Sequence, residues 1–236
     1  MDDLKEVLAG CPLSPDTLEK LDRYRALLLD WNSHMDLTSV KEGDVAARHF
    51  LDSLLPLTVP GLIMESARLI DVGTGAGFPG LPLAIARPDL SVTLLDAQGK
   101  RCQFLGAVAE ALALENVTVI NDRAENLGRA PGHREGYDLA VARAVAPLNI
   151  LLEYLLPFVK TGGRALCWKG PAAMDEAGDG SAAAGKLGGE MLPFLEIETA
   201  DRKNILVPVL KTEKTVPQYP RKNGIPAKRP LKADKI

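Results

Sequence analysis

The stretch Leu69-Ile70-Asp71-Val72-Gly73-Thr74-Gly75-Ala76-Gly77-Phe78-Pro79-Gly80 constrains this chain more than any other. An apolar run of strand character ends near an aspartate and breaks into alternate glycines. At Pro79 an apolar-periodic segment begins and continues through Leu81 to Ala86. That order of signals reads as strand, tight loop and helix. Glycines at alternate positions let the backbone approach a ligand where a Cβ would collide. An ordinary strand-to-helix turn is the competing reading, but it rarely needs three alternating glycines behind a strand-end aspartate.

Gly75-Ala76-Gly77-Phe78-Pro79-Gly80 also fits the G-x-G-x-x-G pattern of dinucleotide sites. Two details count against a pyrophosphate. Pro79 removes one of the N–H donors that a helix start would offer. Asp71 sets a carboxylate beside the loop, which repels an anion and suits a cation. A second strand, Val92-Thr93-Leu94-Leu95, ends in Asp96, whose carboxylate can accept from both hydroxyls of a ribose. S-adenosylmethionine offers a ribose, an adenine, a sulfonium and an amino group, and no phosphate. Asp71, Gly73, Gly75, Gly77, Phe78 and Asp96 are therefore the candidate cofactor-binding residues.

Asp71 to Gly80, with Leu94-Leu95-Asp96 and Gly99-Lys100-Arg101, resembles the bacterial small-subunit ribosomal RNA guanine-N7 methyltransferase family, RsmG or GidB. The resemblance extends upstream to Trp31-Asn32, Leu37-Thr38-Ser39-Val40 and His49-Phe50-Leu51-Asp52-Ser53. Downstream it takes in Arg123-Ala124-Glu125, Arg143-Ala144, Leu148, Lys169-Gly170 and Tyr219-Pro220-Arg221-Lys222. It implies a Rossmann-like class I methyltransferase using S-adenosylmethionine on guanine N7 of 16S rRNA or the small ribosomal subunit. It also implies adenine held by backbone contacts at Ala124 and Glu125, a monomer, and no metal. Asp36 stands where many members have asparagine, and the C-terminal arm is longer than in some.

At 236 residues the chain suits one α/β domain with an appended element. The expected division is an N-terminal helical subdomain (1–62), a cofactor-binding core (63–211) and a basic, proline-containing arm (212–236). No apolar run approaches the ~20 residues that cross a membrane. The acidic start, Met1-Asp2-Asp3, is not signal-like. Cys11, Cys102 and Cys167 are widely spaced with no C-x-x-C, which fits a reducing cytoplasm without a zinc site. The net charge of −3 argues against nucleic acid, but its distribution does not. Residues 211–236 hold eight Lys/Arg against two acids. A basic arm on an acidic body suggests a polyanionic partner, with a solvated tail as the alternative.

Residues 14–31 read as a helix capped by Ser14, with Pro15 at its first position. Residues 43–57 read as a second helix, capped by Asp44, with His49 and Asp52 on one face. Those two are expected to be an interface pair rather than catalytic groups. Strands are expected at 68–72, 91–95, 117–120, 137–142 and 164–169, and helices at 79–87, 99–113, 147–156 and 172–187. This alternation gives a doubly wound, mostly parallel sheet. A last antiparallel pair is expected at 192–197 and 205–210. Residues 178–189 also read as a mobile small-residue loop, and the arm as extended until a partner orders it.

Ligands of such sheets sit at the carboxyl ends of the strands, where Asp71, Asp96, Arg143 and Lys169 fall. The fourth strand ends in Arg143 and has neither an Asn-Pro-Pro-Tyr motif nor a cysteine after a proline. Arginine's fork can bind phosphate or the O6 edge of guanine. Arg143 and Lys169 are the candidate catalytic residues, Arg143 is also a candidate cofactor contact, and the competing reading of Arg143 is a salt bridge to Asp71 or Asp96. Lys100, Arg101, Arg123, Lys169, Arg202, Arg221 and Lys222 are the candidate RNA contacts. The rival functions are methylation of another RNA or a small molecule, an RNA-binding ribosome-assembly factor, and, more remotely, a nicotinamide oxidoreductase.

Overall fold

The computed structural model describes residues 2–199 and 203–233. Helices α1 (Asp2–Val7) and α2 (Pro15–Asn32) come first. The Ser14 hydroxyl accepts from the Thr17 N–H at 3.1 Å and Pro15 opens α2, so the helix starts where its cap places it. Leu21, Tyr24 and Leu28 form its buried face.

The expected second helix is present but broken. It runs as a 3-10 turn (Glu42–Asp44), a π-helical stretch (Ala46–Leu51), α3 (Asp52–Leu54) and another 3-10 turn (Leu55–Thr58). Asp44 lies inside the first turn, which Lys41 precedes without a side-chain cap. The wider π turn re-aims side chains, as such insertions often do beside functional sites.

The α/β core then alternates through β1 (Arg68–Val72), α4 (Gly80–Ala86), β2 (Ser91–Asp96), α5 (Gly99–Ala111), β3 (Val117–Asn121), α6 (Ala124–Leu127), β4 (Tyr137–Arg143), α7 (Leu148–Leu155) and β5 (Val159–Lys169). Then come α8 (Ala173–Lys186), β6 (Gly189–Met191), β7 (Leu195–Glu198), β8 (Lys203–Lys211) and α9 (Ile225–Lys228). The sheet order is β3-β2-β1-β4-β5-β8-β6, with β7 paired to β8. Strands β1 to β5 are parallel, and β8 runs antiparallel to β5, β6 and β7. The direction of winding reverses between β1 and β4, which puts a crevice at their carboxyl ends. One apolar core joins α1, α2, α4 and α5 to one sheet face, and a second packs α7 and α8 on the other.

Two local expectations are corrected. Strand β5 begins at Val159 because a register shift opposite Tyr137 and Leu139 lets residues 160–163 bulge. Gly162 has φ +86°, and a Cβ on Gly163 would lie 2.6 Å from the Asp138 carbonyl oxygen. Residues 178–186 are helical rather than a loop. Ala182, Ala183 and Ala184 are the strongest helix formers, Asp175 and Glu176 occupy the first turn, and Gly180 packs against Leu148.

Residues 212–233 of the arm are not extended but folded onto the core. The arm has four prolines and little regular structure, so its backbone groups need side-chain partners. Arg134 donates to the carbonyls of Tyr219 at 2.8 Å and Thr215 at 2.6 Å. Arg129 donates to those of Gln218 at 3.1 Å and Pro220. The Lys211 side chain is fully buried, where Nζ donates to the carbonyls of Leu156 (2.8 Å) and Leu187 (3.2 Å) and to the Thr215 hydroxyl. Burial pushes that ammonium down to about 8. Part of the positive charge counted in the arm is thus structural.

Candidate active site

The glycine loop leaves β1 with Gly73, Gly75 and Gly77 at φ +70°, +62° and +102°, which side-chain-bearing residues rarely adopt. The glycines differ in what fixes them. A Cβ on Gly77 would come within 2.6 Å of the Tyr24 hydroxyl, and one on Gly80 within 2.8 Å of Asp71 Oδ2. Close packing demands glycine at both. A Cβ on Gly75 would meet nothing within 4 Å, so this is where the backbone faces open space.

Asp71 is fully buried beneath the loop. Its Oδ2 accepts from the Thr74 hydroxyl at 2.6 Å and the Gly80 N–H at 2.8 Å. Its Oδ1 has no hydrogen-bond partner among the described residues. Burial pushes the carboxyl up to about 6, although the two hydrogen bonds and the Arg143 charge pull the other way. Asp96 Oδ2 accepts from the Gly75 N–H at 2.9 Å and Oδ1 from the Gln98 N–H at 2.8 Å. Arg101 leans toward Asp96 at 3.7 Å.

Tyr24 of α2 supports the loop from below. Its hydroxyl donates to the Ala76 carbonyl, and its ring stacks on Phe78 with centroids 5.4 Å apart. Phe78 is buried and carries His49 stacked on it at 4.4 Å, with the Arg143 guanidinium 5.1 Å from its centroid. Its ring is therefore a partition between the loop and the neighbouring cavity.

Arg143 is the point of correction. It pairs with neither Asp71 nor Asp96. Its Nη1 donates to Asp52 Oδ2 at 2.6 Å and to the Arg48 carbonyl at 3.2 Å, and its Nη2 to His49 Nδ1 at 2.9 Å. His49 and Asp52 do join the helical region to the sheet, and the residue they join it to is the candidate catalytic one. Arginine only donates, so Nδ1 is the accepting nitrogen and the ring proton lies on Nε2. Nε2 then donates to the Thr38 hydroxyl oxygen at 2.7 Å, and that oxygen also accepts from the Val40 N–H. The residue after Arg143, Ala144, has φ +55°, a conformation costing of order 1 kcal/mol that clusters at functional sites.

Lys169 and Arg143 line one cavity of about 600 Å³, with His49, Asp52 and Glu176 also on its wall. Lys169 Nζ lies 2.7 Å from Glu176 Oε2 and donates to the Ala146 carbonyl at 3.1 Å. Glu176 also accepts from the Leu148 N–H at 2.6 Å, tying β5 and α8 to the start of α7. The Trp168 indole donates to the Asp52 carbonyl at 2.8 Å. Glu176 carries no motif signal, since its partner appears only when α8 folds back over β5.

The other candidates divide. Ala124 and Glu125 open α6, and the buried Glu125 carboxylate accepts from the Gly224 N–H of the arm at 2.9 Å. Lys100, Arg123 and Lys222 are exposed. Arg221 is half-buried and already paired. Its guanidinium is spent on the buried Glu153, with Nη2 at 2.6 Å from Oε2. Arg202 lies outside the described residues. No group of three His, Cys, Asp or Glu side chains converges as a metal site among the described residues. No helix there is long and apolar enough to cross a membrane.

Residues 17–205 match the family model described as rRNA small subunit methyltransferase G, GidB. The chain belongs to this family. A curated relative, the ribosomal RNA small subunit methyltransferase G of Alkaliphilus metalliredigens, is 44% identical over 226 residues, covering 94% of each chain. That of Leuconostoc citreum is 43% identical over 226 residues, covering 94% of this chain and 95% of its own. Among solved structures, a 16S rRNA adenine-N1 methyltransferase from Catenulisporales acidiphilia aligns with a TM-score of 0.52 at 16% identity, covering 63% of this chain and 86% of its own. MtNAS, in complex with MTA and tNA, aligns at 0.56 and 14% identity, covering 82% of this chain and 70% of its own. At such identities the structures speak for the fold alone.

The loop fits the family's cofactor, S-adenosylmethionine. A buried carboxylate with one oxygen unpartnered suits the ammonium group of the cofactor's amino acid end, and Asp96 closes the neighbouring strand β2 with a second buried carboxylate. The floor of the site is anionic, which is wrong for pyrophosphate.

Proposed function

We propose that the chain, in the cytoplasm, methylates N7 of a guanine in the 16S rRNA of the small ribosomal subunit, with the reacting base held by Arg143 and Lys169. The observation that carries this reading is the meeting of those two cations in one cavity, two of whose lining residues, His49 and Arg143, pack on Phe78 of the glycine loop. Bound S-adenosylmethionine supplies an electrophilic methyl group on a sulfonium. Asp71 and the backbone of Gly73, Gly75 and Gly77 hold the amino acid end, Asp96 the ribose, and Ala124 and Glu125 the adenine.

Guanine N7 carries an in-plane lone pair, so no proton has to leave before it attacks. The protein's task is to orient the ring and keep N7 in line with the breaking bond. A cation on N7 itself would hinder. Arg143 and Lys169 therefore engage O6 or phosphate and leave N7 free. Lys100, Arg101, Arg123 and Lys222 meet phosphates in this reading, and such contacts position the RNA without specifying the base.

The test is labelling with tritiated-methyl S-adenosylmethionine on small subunits and on purified rRNA, followed by mapping of the labelled base. Label at a guanine N7 is expected. Label elsewhere, or none on either RNA, overturns the reading.

A further inference from the structure

Between Arg221 and Gly224 the arm packs against α6, where the adenine is placed. Glu153 of α7 is fully buried, and a buried carboxylate is costly unless its oxygens are matched. Arg221 matches them almost alone. Its Nε lies 2.9 Å from Oε1 and 3.1 Å from Oε2, its Nη2 2.6 Å from Oε2, and its backbone N–H donates to Oε1 at 2.8 Å. A two-pronged charged pair of this kind fixes a backbone as well as a side chain.

Three residues later the Gly224 N–H donates to Glu125 Oε1 at 2.9 Å. Glu125 is itself buried, so the bond is not one that water readily replaces. Helix α6, which carries Glu125, has four residues. A single turn is not stable alone, so its position depends on such tertiary ties. Lys222 and Asn223 lie between the two anchor points and line a cavity of about 350 Å³ together with Glu125, Asn126 and Arg129. The family-model match ends at residue 205, before this segment.

We propose that the Arg221–Gly224 segment is a positioning element of the cofactor pocket: Arg221 on Glu153 anchors it, and Gly224 on Glu125 fixes the turn that receives the adenine. The proposal rests on the placement of adenine at Ala124 and Glu125. The arm then acts on the cofactor through Glu125 and without touching it.

The experiment measures binding of S-adenosylhomocysteine and of 5′-methylthioadenosine by calorimetry, with methyl-transfer kinetics on small subunits. Arg221→Met leaves Glu153 buried and unpaired, so the double variant Arg221→Met/Glu153→Leu removes both charges and guards against unfolding. The expected result is a dissociation constant for both ligands raised roughly tenfold in both variants, the scale of one well-ordered hydrogen bond. KM for the cofactor rises alongside, kcat at saturation holds, and Arg221→Lys restores part of the loss. Unchanged affinity in a double variant that melts like the wild type overturns the proposal, as does a fall in kcat with KM unchanged. Amide shifts of Ala124 and Glu125 on adding 5′-methylthioadenosine to the wild type separate the two layers. If those amides stay still, the adenine placement fails and the proposal with it. If they move and affinity ignores Arg221, the arm's role alone fails.

Discussion

Around the glycine loop the buried charges are carboxylates, one of them with an unpartnered oxygen, whereas at the ends of β4 and β5 they are part-buried cations whose partners are in place. Asp71 keeps one oxygen without a hydrogen bond, and burial raises its carboxyl to about 6. Arg143 has Asp52 and His49, and Lys169 has Glu176. The loop side gains when a cation arrives. The β4–β5 side has its cations held by protein partners before any base arrives, so little reorganisation of them remains at the moment of reaction. One side is built for affinity and the other for geometry.

The largest expected effect tests that division directly. Arg143→Met should slow single-turnover methyl transfer by roughly 10²–10⁴-fold, the scale of losing orientation and charge at the reacting centre. Affinity for S-adenosylhomocysteine should change far less. The substitution also strips Asp52 of its salt bridge, so a thermal melt accompanies the assay. If affinity falls as much as rate, the two sides are not separate and Arg143 belongs to the cofactor as well.

The same comparison explains what the sequence made legible. Asp71, the glycines and Asp96 lie within 26 positions, on one strand-loop-helix-strand unit, and their determinants are local. Periodicity and glycine spacing were sufficient to place them and the parallel sheet. Arg143 and Lys169 could be placed at strand ends by the same logic, but their partners could not. Asp52 lies 91 positions from Arg143 and reaches it through a π turn that apolar spacing does not encode. The arm is the extreme case. Its composition reads as extended, yet Arg129, Arg134, Glu125 and Glu153 order it from 68 to 99 positions away. Local composition reports what a segment does alone and is silent on what remote side chains do to it.

The next effect sharpens the loop side. Asp96→Ala should lose about 1.5–3 kcal/mol of affinity for S-adenosylhomocysteine, the range for a charge-assisted hydrogen bond. Asp71 adds a pH dependence whose sign follows from its raised value. In the free protein its carboxyl takes up a proton as pH falls through about 6. A raised acid contributes stability to the free protein at low pH and loses it as pH rises from the ordinary carboxylate range to about 6. A ligand bearing a cation favours the carboxylate, so binding releases that proton. Affinity should therefore be level above about pH 7 and fall as pH drops through about 6, a dependence that Asp71→Asn removes. Calorimetry across that range is the measurement, and a flat profile in the wild type would mean that Asp71 does not face the ligand's charge.

The smallest effect concerns His49, and it decides whether the β4–β5 side does only positioning. Both ring nitrogens are engaged: Nδ1 accepts from Arg143 at 2.9 Å, and Nε2 donates to Thr38 at 2.7 Å. The ring is further pinned against Phe78. A histidine so placed has no lone pair directed at a substrate proton, and guanine N7 has no proton to give. His49 then acts by holding the Arg143 fork. Its removal should cost about as much as one hydrogen bond, 0.5–1.5 kcal/mol, or a few-fold to roughly tenfold in rate. With saturating substrates the rate should vary little between about pH 6 and 9 in the wild type, because no group must titrate in the step. The His49→Ala variant should run lower and parallel. Single-turnover transfer against pH reads both. A steep limb near neutral pH that disappears in His49→Ala would show that the histidine takes a proton in the reaction, and the cations would then share the site with a base.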